Sequence, residues 1–374
     1  MKNILVGNGI NIQYDNEIYT AKNIVLRMLT DLDDKDYPCD YIVNDPMLIK
    51  SYMGKLFLAA RDALDDGLDN YTNCTAERNG LEDFKMRYKH KKKSLRIADI
   101  GFEDYYLIHD LLCHKTHIQN PEQFTIRESL KMAYFHSIYN HGNLNLLYKK
   151  YSPGLIDFLS DFDNIFTTNY DSNLESATGK EVFHIHGQFD RLNETYNPNS
   201  FRNQLNDNPL KGIPNQPEYK YLHSTALSTY CGDYKRYQIK QNILANGAIE
   251  KMANGYQTME SVKEDVDKWE NENNPLVVNL GQAIKLKVTN PKLHFQEDYS
   301  IKEFQTLKGE LIILGLSPYN DYHIFEMIDN AQLIRCTFYY YSESECERIK
   351  LLLSNLNSEK KLDFFNVKEF WEGL

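Results

Sequence analysis

The sequence contains no C-x-x-C. Its six cysteines, Cys39, Cys74, Cys113, Cys231, Cys336 and Cys346, are scattered through 374 residues. That spacing argues against both a zinc ribbon and a disulfide framework and suits a reduced, cytoplasmic setting. Positive charge is in the minority: 42 Lys and Arg against 53 Asp and Glu leave a net charge of -11. Bulk binding to nucleic acid or to an anionic membrane is therefore not expected. No apolar run approaches the roughly 18 residues of a membrane span. The basic flank and cleavage site of a signal peptide are missing too, since Met1-Lys2-Asn3 leads directly into apolar residues. Low-complexity tracts and internal repeats are absent.

What remains is the composition of a folded protein, 42% hydrophobic and 25% charged, long enough for one large domain or two. The 27 tyrosines suit aromatic-lined pockets and equally an AT-rich coding sequence, so they decide nothing.

Four short apolar segments read as buried strands: Ile4 to Val6, Asn164 to Thr167, Val182 to Ile185 and Leu311 to Leu314. Each runs straight into Gly, Asn, Asp, His or Thr, with a helical pattern usually following, as in a parallel sheet covered on both faces. Leu333 to Tyr341 adds a fifth strand and the Phe364–Val367 stretch a sixth. Ser342 and Glu345 have capping-box spacing at the start of a helix that runs through the IKLLLSNL segment. The predicted class is α/β, a doubly wound parallel sheet.

Two stretches interrupt the alternation. Residues 31–150 are helical and strand-poor; residues 191–300 begin loop-like and turn helical. Structureless runs of that length are rare inside a compact domain unless they are functional. Both are read as insertions on one core domain made of segments 1–30, 151–190 and 301–374.

Polar residues gather at the strand exits. Gly7-Asn8-Gly9 with Asn11 follows the first strand, but Ile12 occupies the third glycine of G-x-G-x-x-G, so the dehydrogenase fingerprint is incomplete. Thr167, Thr168, Asn169, Tyr170 and Asp171 close the second strand, and His184-Ile185-His186-Gly187 closes the third. Gly315, Ser317 and Asp321 follow the fourth. In an open parallel sheet these exits face one ligand crevice. Individually the motifs also read as turns and helix caps. Strand alternation places His184 and His186 on one side, a pair that would need further ligands to hold a metal. No metal is expected.

In this order, G-N-G-I-N, T-T-N-Y-D, H-I-H-G and G-L-S-x-x-x-D, the chain resembles the sirtuin-like NAD-binding proteins. It looks most like their divergent branch of NAD-hydrolysing effectors in bacterial anti-phage defence. The resemblance covers about 60 residues of core and neither insertion. It implies a Rossmann-like fold with NAD across the sheet's C-terminal edge and cleavage of the nicotinamide–ribose bond. Asn169 would hold the ribose hydroxyls and the attacking water, and His186 would act as general base. Asp171 would either stabilise the oxocarbenium-like transition state or cap the following helix. Gly7, Asn8, Gly9 and Asn11 would hold the diphosphate with Thr167 and Thr168 nearby; Gly315, Ser317 and Asp321 would reach the adenosine half. The four-cysteine ribbon of the deacetylases is missing, and Gln13-Tyr14-Asp15-Asn16 replaces the family's Gly-Ile-Pro-Asp-Phe-Arg-like run, so hydrolysis or cyclisation of NAD is expected rather than deacylation.

Such an activity implies gating by a partner protein, a nucleotide signal or self-assembly into a homo-oligomer. The alternative is a non-catalytic sensor of NAD or ADP-ribose; a third reading is a metal-dependent hydrolase using the His-x-His pair. Two other signals carry less. His109, Cys113 and His117 fall on one helix face. Residues 84–96 hold seven Lys and Arg, which read as a solvated face or as a grip for a nucleic-acid backbone or an acidic partner.

Overall fold

The computed structural model describes all residues except 16, 35–36, 39–44, 194–195, 197–199, 206–216, 295–298 and 355–359. Its centre is one sheet of six strands: β1 (Lys2–Val6), β2 (Asn164–Thr167), β3 (Val182–His184), β4 (Lys308–Leu314), β5 (Gln332–Tyr340) and β6 (Lys361–Asn366). Every neighbouring pair is parallel and the spatial order is β3-β2-β1-β4-β5-β6. The chain winds outward from β1 to β3, returns to the other side of β1 at β4, and winds outward again. The fold is Rossmann-like, with its topological switch point between β1 and β4.

Burial explains why the strands are continuously apolar. Ile4 and Val6 join one hydrophobic cluster with helices of the first insertion, whereas Leu5 joins a second cluster with Phe166, Leu311 and Ile313. Alternate residues thus enter cores on opposite faces, and beyond the exposed Lys2 no strand position along β1 is left for a polar exterior. The exception is Asn3, whose Nδ2 donates to the carbonyls of Lys308 and Glu310 across the β1–β4 seam.

The expected strands all form. The third ends at His184, one residue earlier than expected, and the fourth starts earlier, at Lys308. Ser342 caps the helix Glu343–Leu352 by accepting from the Glu345 amide at 3.4 Å. Glu345 returns its carboxylate to the amide of Tyr341 at 2.9 Å.

The first insertion contributes the helices Pro46–Ala63, Thr75–Tyr88, Phe102–Thr116 and Glu122–Tyr139, and its apolar faces belong to the same cluster as Ile4 and Val6. The second contributes Gly232–Thr258, Glu260–Trp269 and Pro275–Thr289. The first turns of Gly232–Thr258 enter the main core through Tyr234, while its later turns pack into small separate clusters around Ile249, Ala253 and Val266. Among the described residues, no helix is long and apolar enough to cross a membrane.

Candidate functional site

Strand register decides what meets at the sheet's C-terminal edge. Val6 is level with Thr167 on one side and Leu314 on the other, and Thr167 is level with His184. The residues that follow these four therefore emerge side by side. They border a cavity of about 860 Å³ at the switch point, a size suited to a small-molecule or cofactor site. Its walls include Asn8, Gly9, Asn11, Thr168, Asn169, Tyr170, Asp171, His186, Gly315, Ser317 and Asp321. Of the expected site residues, Gly7 and Thr167 alone stand behind this wall.

Both have structural work there. Thr167 Oγ1 donates to the Val6 carbonyl at 2.9 Å and accepts from the Asn169 amide at 3.0 Å, which fixes the turn presenting Asn169. Gly7 and Gly9 donate their amides to the carbonyls of Leu314 and Gly315, at 2.8 and 2.9 Å. A β-carbon on Gly7 would stand 2.5 Å from the Gly315 carbonyl oxygen. The glycines thus let the β1 and β4 exits touch backbone to backbone, while neither N–H points freely to a ligand.

The loop after β1 is tied to the loop after β2. Asn8 Nδ2 donates to the Tyr19 carbonyl, and Asn11 Nδ2 donates to Asp171 Oδ2 at 2.8 Å. Asp171 Oδ1 accepts from the amide and the side chain of Asn173, at 3.1 and 2.7 Å, and so holds the first turn of the helix Asn173–Thr178. Asp171 stands one residue before the N-cap, Ser172, whose own side chain makes no cap. Burial raises its pKa, and the bonds from Asn11 and Asn173 pull in the opposite direction. Two buried polar atoms in this cluster have no partner among the described residues: Asn169 Nδ2 and Asn11 Oδ1, on residues 6% and 1% exposed.

The two histidines at the β3 exit part company. The strand ends at His184, so alternation no longer governs residue 186. His184 Nδ1 meets the Asn169 carbonyl at 3.0 Å and its Nε2 meets Glu175 Oε1 at 2.6 Å. Both partners carry acceptor oxygens, an arrangement that favours the protonated ring. Burial lowers its pKa, but Glu175 outweighs burial and the net shift is upward. The His184–His186 pair considered as a metal clasp therefore does not form.

His186 instead turns Nε2 to His323 Nε2, 2.9 Å away, with Asp321 Oδ1 at 3.8 Å from the same nitrogen. Asp321 in turn accepts from Lys235 Nζ at 3.1 Å, and Lys235 donates to Glu103 Oε1 at 2.9 Å. Burial lowers His186 to about 4, with Asp321 raising it and Lys235 lowering it further; the ring is neutral at neutral pH. Burial raises both carboxyls, yet the charge of Lys235 carries Asp321 below its ordinary value, while Glu103 stays above its own. Gly187, the glycine of the His-Gly pair, has a φ of +71°, and a β-carbon there would stand 2.3 Å from the Thr225 carbonyl oxygen. Leu227 then donates its amide to the His186 carbonyl at 2.8 Å, so a segment of the second insertion braces the histidine.

Sequence reasoning missed His323, Lys235, Glu103 and the bidentate pair of Arg87 with Asp104, although Arg87, Glu103 and Asp104 all line the cavity. His323 had a signal, lying two residues after Asp321, and Arg87 falls in the basic run 84–96; Lys235, Glu103 and Asp104 sit in insertions without a motif. His186, Asp321 and His323 bring one ligand atom each within 4.8 Å of one another, a grouping open to a metal ion. The Lys235 ammonium on Asp321 opposes one, since it already occupies that carboxylate and repels a second cation.

The other two signals resolve locally. His109 is fully buried between Tyr52 Oη, at 2.8 Å, and the Gln123 carbonyl, at 3.1 Å, while His117 is exposed at the helix end. They form no common site. In the basic run, Lys85 is buried against Asp66 and Asp69 and Arg87 is half-buried against Asp104, whereas Lys89, Lys91 and Lys93 are exposed. Cys39 lies outside the described residues; the other five cysteines are free thiols.

No protein-family model, curated protein or solved structure matches the chain. What the molecule itself establishes is a Rossmann-like α/β fold with a polar cavity at its switch point.

Proposed function

We propose that the chain hydrolyses NAD at the bond between nicotinamide and ribose, releasing nicotinamide and ADP-ribose. The observation that carries this reading is the unpartnered Asn169 Nδ2, buried in the wall of the switch-point cavity beside His186. Leaving a buried donor unmade costs a fold roughly 1–3 kcal/mol. A ligand oxygen, such as a ribose hydroxyl, would restore the missing bond.

The chemistry follows from the groups present. As the glycosidic C–N bond breaks, its electron pair moves onto the pyridinium nitrogen and nicotinamide leaves neutral. Positive charge builds on the ribose, water adds to the anomeric carbon, and the water's proton passes to His186. Because His186 is neutral at pH 7, it is in the form that accepts. Asp171, with Oδ2 on Asn11 and Oδ1 on Asn173, acts mainly by holding Asn11, and its charge adds a favourable field.

The resemblance to sirtuin-like defence NADases supports a role in bacterial anti-phage abortive infection, gated by a partner protein, a nucleotide signal or self-assembly. The first insertion, which supplies part of the cavity wall, and the second, which braces His186 through Leu227, are where such a signal would act. A second reading is a non-catalytic NAD or ADP-ribose sensor; the lowered basicity of His186, which makes it a weaker base, favours it. Cellular NAD distinguishes the two. Cells producing the chain under its activating condition are expected to lose NAD and accumulate ADP-ribose, and Asn169→Ala and His186→Ala each to prevent the loss. An NAD pool that is unchanged in every condition, infection included, contradicts the proposal.

A further inference from the structure

The contact between His186 and His323 poses a proton problem. Two imidazole nitrogens 2.9 Å apart, on rings 3% and 5% exposed, hold one proton between them. With none, two lone pairs would face each other; with two, two N–H groups would. The ring planes are tilted by 33°, with centroids 5.0 Å apart, so the arrangement is an edge contact rather than a stack.

Asp321 breaks the symmetry. Its Oδ1 lies 3.8 Å from His186 Nε2. It stands at the start of the helix Tyr322–Asn330 without making a side-chain cap, and its oxygen is turned to Lys235 instead. A carboxylate stabilises the proton nearest to it, which here is a proton on His186 Nε2. His323 then accepts at Nε2 and carries its own hydrogen on Nδ1, an atom that is buried and has no partner. His186 lines the cavity and His323 does not. With Nε2 turned away, the nitrogen left to the cavity is Nδ1, and in this tautomer it carries a lone pair.

We propose that His323 and Asp321 are positioning residues that hold His186 as the Nε2–H tautomer, and that Lys235 and Glu103 fix Asp321 in place for that purpose. The chain of contacts crosses three parts of the molecule. Glu103 lies in the first turn of Phe102–Thr116 in the first insertion, and Lys235 in the first turns of Gly232–Thr258 in the second. Asp321 and His323 belong to the core. The charged and titratable groups converging on Lys235 are Glu103, Asp321 and the hydroxyl of Tyr170. A shift of either insertion therefore reaches the ring of His186 through one ammonium group. The kinetic consequence rests on the reading of His186 as the general base, but the tautomer does not.

The test is heteronuclear NMR on the full chain labelled with 15N-histidine, using long-range couplings to the ring nitrogens at neutral pH. The signals of His186 are identified by their loss in His186→Gln. We expect the Nε2–H tautomer in the wild-type chain. His323→Phe, which keeps the ring but removes the acceptor, is expected to convert His186 to a mixture or to Nδ1–H. His323→Gln, which can still present an oxygen, is expected to retain Nε2–H. Where NAD is turned over, His323→Phe should lower kcat by about 10- to 100-fold with KM within about twofold, and His323→Gln should recover part of the loss. Finding Nδ1–H in the wild type, or no response to His323→Phe, overturns the proposal, as does a stoichiometric transition metal on the purified chain. Should His323→Phe not fold, the wild-type tautomer and His323→Gln still decide. The expected tautomer without any NAD turnover would remove the hydrolase reading and leave the relay standing.

Discussion

Gly9 and Gly315 meet with no side chain between them: a β-carbon on Gly9 would stand 2.5 Å from the Gly315 α-carbon. This contact brings the exits of β1 and β4 together at the switch point, and it makes one substitution act in opposite directions at two sites. Gly9→Ala is expected to destabilise the protein by about 1–3 kcal/mol through overpacking against backbone that cannot yield. Gly54 lies inside the helix Pro46–Ala63 with open space around its missing β-carbon. Gly54→Ala is expected to stabilise by about 0.5–1 kcal/mol through helix propensity. Denaturant unfolding of the two variants checks the signs.

Asn169 is a residue whose removal should hurt function far more than folding. Its backbone amide and carbonyl are held by Thr167 and His184, and these bonds survive truncation of the side chain. Its Nδ2 satisfies nothing in the fold. Asn169→Ala is expected to change stability by less than about 1 kcal/mol while lowering NAD hydrolysis by about 100-fold or more. Thermal melts run beside nicotinamide assays test the split. A large loss of stability would mean that the side chain is structural.

Lys235 is 2% exposed and neutralises two carboxyl groups from different parts of the chain. Lys235→Met leaves them facing each other without a cation, and is expected to cost about 3–5 kcal/mol. Adding Glu103→Gln removes one of the two charges and should recover part of that loss. A double variant as unstable as the single one would show that the pair is not coupled through Lys235.

Acid should loosen the protein well before its carboxylates titrate in bulk. His109, His136, His186 and His223 are each held at about 4 by burial, against about 6.5 in an unfolded chain. Between these values the unfolded chain binds more protons than the folded one, so stability falls as pH drops from about 6.5 toward 4. A histidine whose pKa drops by one on folding costs about 1.4 kcal/mol once acid has protonated it in both states. Groups raised on folding work the other way, among them Asp31, Asp171 and Glu345 and, most clearly, Glu103 and His184. Glu103, raised to about 7, contributes stability at low pH that is lost as pH rises through that value. His184, whose pKa is also raised, contributes stability below about 6.5 that is lost as pH rises through its folded value. Five lowered histidines, His323 included, outweigh these, and a denaturant midpoint that declines steadily from about pH 6.5 to about 4.5 is expected. A flat profile would contradict the burial of these rings.

The six strands and their polar exits were legible because each is a short apolar run ending in a residue that suits the crevice, and the parallel register then levels Val6, Thr167, His184 and Leu314. What the sequence concealed lies where that logic lapses. His184 and His186 separate because the strand stops between them. Gly7 and Thr167 face backbone rather than cavity, an outcome of how the β1 and β4 exits dock. Glu103 and Lys235 carry no motif, and they are brought together by the packing of two helices whose starts lie far apart in sequence. A buried ion group of this kind is visible only once the insertions are folded onto the core.

Hydrolysis of NAD is tested most directly by incubating the purified chain with NAD, with and without candidate activators, and separating the products by chromatography. Nicotinamide and ADP-ribose are expected in equal amounts from the wild-type chain, and neither from Asn169→Ala or His186→Ala. NAD that binds at one equivalent and is recovered intact under every condition would contradict the assignment.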